Sequence, residues 1–248
     1  VQPQTFRNEL SFEHLMSFEA EAAIIAAYGV LLPSQIIEGF PLGCLNIHPS
    51  LLPKYRGASP VASSILEGSS KTGVTVMLLD EGMDTGPILC QKELMIEESE
   101  TCEDLTLRLF TVGGDLIKSA ISGLVSGTMK PIPQDASKAT ITARFTKNDG
   151  LINWNSTSIE ILRSIRAYYS WPGTFTHYNG KSLKIISAAP WDKSINLRPG
   201  EIKMVDEVLI GTSDGAISVK EVQPNGKKII TAGEFKLGYK SLEGSILG

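Results

Sequence analysis

Two short apolar runs, AAIIAA at 22–27 and GCLNIH at 43–48, flank a stretch marked by glycine and proline, and this spacing restricts the fold more than any other feature of the chain. Apolar runs of this length, bounded by turn residues, have the pattern of strands buried on both faces of a parallel sheet. Parallel neighbours need a crossover between them, usually helical. LLPSQIIEGF supplies one, a short helix opened at Pro33 and closed by Gly39. Pro49 ends the second run because proline has no N–H to continue a ladder. Ser59 is then placed to cap a helix that starts at Pro60 and stops at Gly68. With the acidic helical stretch ELSFEHLMSFEAE in front, the order predicts an α/β fold.

Further on, TGVTVMLLD and GPILCQKELMI read as two strands joined by the turn EGMDT. Thr101 with Asp104 forms a capping-box signature, and Leu105, Leu109, Val112, Leu116 and Ala120 recur at helical spacing to about Ser126, with Gly113 and Gly114 weakening that helix locally. Residues 128–147 shift to Pro, Ser, Thr and Lys and read as a linker with one extended segment. Beyond it come a helix at about 158–168 and the runs TFTHY, SLKIISA, EVLIGT, AISVKEV and KKIITA, separated by NG, RPG, SDG and PNG turns. Short strands at such intervals predict a small antiparallel barrel or sandwich. The expected division is therefore 1–127, a linker at 128–147, and 148–248.

Composition narrows the class of function. With 42% hydrophobic and 20% charged residues over 248 positions, disorder and fibrous classes are excluded. No run approaches the roughly 18 apolar residues of a membrane span, and VQPQTFRNEL lacks a signal-peptide pattern, so a cytosolic chain without a membrane partner is expected. Cys44, Cys90 and Cys102 are odd in number and have no metal-ligand spacing; reduced thiols and no metal are expected. Residues 1–127 carry 7 Lys/Arg against 16 Asp/Glu, whereas 128–248 carry 16 against 11, so the second half could face an anionic partner.

The chemistry concentrates where the second apolar run ends. On a strand the side-chain period is two, so Asn46 and His48 project from one face while Leu45 and Ile47 fill the other. They stand at the carboxyl end of a strand, where α/β sheets place their ligand crevices. Asp84, in the turn GMDTGP, adds a carboxylate, although an Asp in such a turn often serves only the turn. An amide donor, an imidazole and a carboxylate together stabilise an oxyanion, move a proton and raise the basicity of the imidazole. That set suits acyl transfer to an amine. A serine hydrolase fits poorly, because no GxSxG elbow is present and Ser50 is too close in sequence to His48.

NIHPSLLPKYRGASP at 46–60 followed by LLDEGMDTGPIL at 78–89 resembles the two signature segments of the folate-dependent formyltransferases. LINW at 151–154, IRAYYSWPGTF at 165–175 and VQPNGKK at 222–228 are similar to the second domain of the branch that acts on methionyl initiator tRNA, and the likeness covers essentially the whole chain. The resemblance implies a Rossmann-like catalytic domain at 1–127, and an OB-like β-barrel at 148–248 that helps hold the tRNA. It implies 10-formyltetrahydrofolate as co-substrate, Asn46, His48 and Asp84 as catalytic groups, and Ser50, Leu51, Leu52, Pro53, Tyr28 and Leu32 as folate contacts. A monomer in a bacterial cytoplasm or an organellar matrix is expected. A family member would carry about one βαβ unit more before Val1, so a truncated catalytic domain with an incomplete sheet and folate pocket is expected, inactive and prone to aggregate by itself. Relatives acting on glycinamide ribonucleotide would share the three residues but end soon after the long helix; others act on sugar-nucleotide amines. An idle tRNA-binding module is the alternative from outside enzymology.

Overall fold

The computed structural model describes residues 9–248, which form two compact units. One comprises the chain up to residue 64 with 69–97 and 104–144; the other comprises 65–68, 98–103 and 145–248.

In the first unit, α1 (Glu9–Met16) leads to β1 (Ala23–Ala26), α2 (Ser34–Ile37) and β2 (Cys44–His48). After β3 (Arg56–Gly57) and α3 (Pro60–Leu66) come the paired strands β4 (Lys71–Leu78) and β5 (Ile88–Met95), then α4 (Cys102–Val125) and β6 (Ile141–Thr142). The sheet order is β1-β2-β4-β5. β1 runs parallel to β2, with Ala26 beside Ile47, and β2–β4 and β4–β5 are antiparallel. The α/β order read from the sequence is present, in a mixed sheet.

β1 differs from a strand buried on both faces. It is the outer strand among the described residues, and Ile24 is 53% exposed while Ala23 and Ile25 pack toward Ile36, Phe40 and Cys44. Among the described residues only one of its faces is covered. In α4 the buried stripe is Leu105, Leu109, Gly113, Ile117 and Ala120. The glycine pair does not interrupt the helix. Gly113 lies where the helix meets the sheet: an added Cβ would stand 2.5 Å from Ile47 Cγ2 and 3.2 Å from Val74 Cγ2, whereas one at Gly114 would meet nothing within 4 Å. Gly113 therefore lets the backbone of α4 approach the strand that carries Asn46 and His48.

The second unit contains α5 (Ser158–Ala167), β7 (Thr174–Tyr178), β8 (Lys181–Pro190), β9 (Ile202–Met204), β10 (Val208–Gly211), β11 (Ala216–Pro224), β12 (Ile230–Thr231) and α6 (Ala232–Gly238). The antiparallel sheet runs β7-β8-β11-β10-β9, with β12 on β11. Register shifts near Glu221 bend β11. The sheet is open in this order, where a barrel was expected, and the last residues run between its two edges: Ile246 bridges Glu201 beside β9, and the Gly248 N–H donates to the His177 carbonyl on β7 (3.1 Å). Trp154, Ile161, Ile185, Ile217, Phe235 and Leu247 meet in the core of this unit. The LINW segment enters that core through Trp154, whose Nε1–H donates to Thr176 Oγ1 (3.0 Å). β9 is too short for alternation to show in the sequence. α6 was not read from the sequence, although Thr231 and Glu234 form a capping box at its start.

Candidate active site

β2 delivers His48 to the sheet end with its imidazole almost entirely buried. Nε2 is 2.9 Å from the Tyr55 carbonyl. A carbonyl only accepts, so Nε2 carries the proton of the neutral ring and Nδ1 carries the lone pair. Nδ1 faces Asp84 Oδ2 at 3.6 Å, longer than a hydrogen bond. Burial holds the His48 pKa below the ordinary imidazole value, against the opposite pull of the Asp84 charge and the Tyr55 carbonyl. The resting ring is thus neutral at pH 7, and a proton that it gains lands on Nδ1, toward the carboxylate.

Asp84 is in place for this contact rather than for its turn. Asp80 holds the turn, accepting from the Gly82 N–H (3.0 Å) and the Thr85 hydroxyl (2.6 Å). Asp84 Oδ2 instead accepts from the Gly57 N–H at 2.7 Å, which aims the carboxylate across the cleft between the turn and the loop after β2. Gly57 has φ +103°, and an added Cβ there would press within 2.7 Å of the Thr142 carbonyl, so the close approach requires glycine.

Asn46 lies two residues before His48 on the same face of β2, half-buried, and its side chain makes no hydrogen bond to the described residues. Its amide is free to donate to an external oxygen. The loop after it is pinned from β4: Thr75 Oγ1 donates to the Ser50 carbonyl (2.6 Å) and accepts from the Leu52 N–H (3.1 Å), while Gln91 Nε2 donates to the Leu52 carbonyl (2.9 Å) and to Thr75 Oγ1 (2.8 Å). Ser50 donates its hydroxyl to the Lys54 carbonyl (2.6 Å) and not to His48, consistent with rejecting a Ser-His nucleophile.

The structure brings Asn46, His48 and Asp84 together. Of the residues expected to contact a folate, Ser50 and Leu52 bury their side chains, Leu51 packs over Gly73 of β4, and Pro53 is half-buried. Tyr28 follows β1 at the same sheet end as His48, half-buried, whereas Leu32 packs beside Ile36 and Phe40. The three thiols are free, and burial pushes Cys44 up to about 11, which leaves it inert as a nucleophile. Among the described residues no group of three His, Cys, Asp or Glu side chains is placed to hold a metal ion, and no helix is long and apolar enough to cross a membrane.

Sequence reasoning missed the supports of the site. Thr75 had a signal, a hydroxyl in the middle of an apolar strand. Gln134, Thr140 and Thr142 had none, because they lie in the polar stretch 128–147. Thr140 Oγ1 accepts from the Tyr55 N–H (2.8 Å), Thr142 Oγ1 donates to the Arg56 carbonyl (3.0 Å), and β6 pairs with β3 in parallel. That stretch holds the basic loop in place.

Residues 1–121 match the family described as formyl transferase, and residues 144–240 match the formyl transferase C-terminal domain. A methionyl-tRNA formyltransferase from Thermodesulfovibrio yellowstonii is 40% identical across 98% of this chain and 78% of its own length. The chain belongs to the methionyl-tRNA formyltransferase family. Among solved structures, a methionyl-tRNA formyltransferase from Clostridium thermocellum aligns with TM-score 0.62 at 25% identity, covering 76% of this chain and 80% of that one. HypX from Aquifex aeolicus, solved with tetrahydrofolic acid, shares the fold with TM-score 0.72 at 20% identity, over 93% of this chain and 41% of its own.

Proposed function

We propose that the chain transfers a formyl group from 10-formyltetrahydrofolate to the α-amine of methionyl initiator tRNA, with Asn46, His48 and Asp84 at the reacting centre. The observation that carries this reading is an uncommitted amide beside a buried, neutral imidazole whose own proton is tied to the Tyr55 carbonyl. The names of the relatives support the acceptor, and the tetrahydrofolic acid bound to HypX supports the donor class.

The folate co-substrate supplies a formyl carbon open to attack by an amine. Asn46 donates its amide N–H to the formyl oxygen as that oxygen gains negative charge, an interaction stronger in the transition state than before it. His48 accepts the proton that the amine loses on Nδ1, the nitrogen left free by the Tyr55 contact. Asp84 then faces a charged imidazolium and stabilises it; the 3.6 Å separation shortens as the charge forms. The same proton is available to the departing folate nitrogen.

Folate binding at this sheet end falls to the loop 50–53 with Tyr28 and Leu32; Ser50 and Leu52 serve it by fixing the shape of the loop, since their side chains face inward and their backbone groups are paired with His48, Thr75 and Gln91. Residues 1–127 carry the chemistry, 128–147 join the halves, and 148–248 hold the tRNA, as their excess of Lys and Arg favours. The protein works as a monomer in a bacterial cytoplasm or an organellar matrix. A formyl-transfer assay with 10-formyltetrahydrofolate tests the reading: formylmethionyl-tRNA is the expected product, and faster transfer to glycinamide ribonucleotide or a sugar-nucleotide amine would overturn it.

A further inference from the structure

Gln134 lies outside both signature segments, yet its whole amide is committed around the site. Its Oε1 accepts from Arg56 Nε (3.1 Å) and Nη2 (2.7 Å), and its Nε2 donates to the carbonyl oxygens of Asp84 (2.8 Å) and Gly86 (2.7 Å). The two sides of this clasp are the two elements that must stay in register for Asp84 to work. Arg56 immediately precedes Gly57, whose N–H binds the Asp84 carboxylate, and Asp84 itself sits at φ +54°, a left-handed conformation that an aspartate keeps only when its surroundings hold it. Arg56 is buried, so its guanidinium also needs the partner that Gln134 provides.

We propose that Gln134 is a positioning residue that sets the Asp84 carboxylate against His48, by holding the backbone of the Asp84 turn to the strand that carries Gly57. The proposal rests on the role given to Asp84 above. Without the two donated hydrogen bonds the turn relaxes, the carboxylate drifts from His48, and the imidazolium formed during transfer loses its counter-charge. Substrate binding does not involve Gln134, so the defect belongs in kcat.

The test is a cycle of variants in the whole enzyme. Gln134→Glu keeps an acceptor for Arg56 but turns a carboxylate toward two carbonyl oxygens; Gln134→Met keeps the length and removes all four contacts. Each is expected to lower kcat by roughly 10- to 10²-fold, the loss that a misplacement of about 1 Å produces, with KM for both substrates unchanged. In an Asp84→Asn background neither change should lower kcat further. Wild-type kcat in both Gln134 variants overturns the proposal, as do losses that multiply undiminished with Asp84→Asn. So does a loss that vanishes once assays are run well below each variant's melting temperature. Wild-type kcat in Asp84→Asn alone would instead remove the role of Asp84, and the clasp with it.

Discussion

The adjacent glycines of α4 offer a sharp test of how the fold holds the site. Replacing either by alanine adds the same helix preference, about 1 kcal/mol in an α-helix interior. The two sites differ in what the new methyl meets. At Gly114 it meets nothing within 4 Å, so Gly114→Ala is expected to stabilise the first unit by about 1 kcal/mol. At Gly113 it stands 2.5 Å from Ile47 Cγ2 and 3.2 Å from Val74 Cγ2, both on β-branched side chains with little freedom to turn away. Overpacking of that kind costs about 1–3 kcal/mol. The helix gain cancels in the comparison, so the difference between the two variants isolates the contact cost. About 1–3 kcal/mol should separate them, or several degrees in melting temperature at about 2–4 °C per kcal/mol for a chain of this size. Ile47 lies between Asn46 and His48, so Gly113→Ala should also lower kcat while Gly114→Ala leaves it intact. Urea unfolding followed by near-UV circular dichroism, with formyl transfer measured on the same samples, decides the matter. Equal stability in the two variants would refute the close approach of α4 to β2.

The reacting residues give further expectations. His48→Ala should reduce turnover by roughly 10²–10⁴, the usual worth of a positioned acid–base group; single-turnover kinetics on charged tRNA would expose a near-normal variant and so reject the assignment. Asn46→Ala should lower kcat by about 10²–10³, as for loss of one oxyanion donor, and a variant that loses only folate affinity would make Asn46 a binding residue. The lowered pKa of His48 means that the unfolded chain takes up a proton that the native state refuses, so stability present above the ordinary imidazole pKa of 6.5 is lost as pH falls below it. His48→Gln should flatten that slope between pH 7 and 5 in denaturant titrations, and an unchanged slope would place the effect elsewhere. Deleting 148–248, or raising salt, should weaken tRNA binding far more than folate binding; filter-binding assays showing equal tRNA affinity with and without that half would contradict its role.

Asn46 and His48 were legible in the sequence because a strand's two-residue period and its proline stop are local properties: they put both side chains on one face, at one end, before any packing is known. The same locality made the β4–β5 hairpin, the long amphipathic helix and the turn-punctuated strands of the second half readable, and the motif at 46–60 with that at 78–89 pointed to the family. What only the tertiary structure decided is which groups meet across distance in the chain. The aim of Asp84 depends on a Gly57 N–H 27 residues away. The proton on His48 is assigned by a backbone carbonyl, a group that every residue carries and no motif marks. Gln134, in a stretch whose composition reads as linker, became a clasp only because the chain returns to lay residues 132–142 along the site loop. Gly113 read as a weak point because helix propensity is counted within the helix; it is a point of contact because β2 passes beneath it.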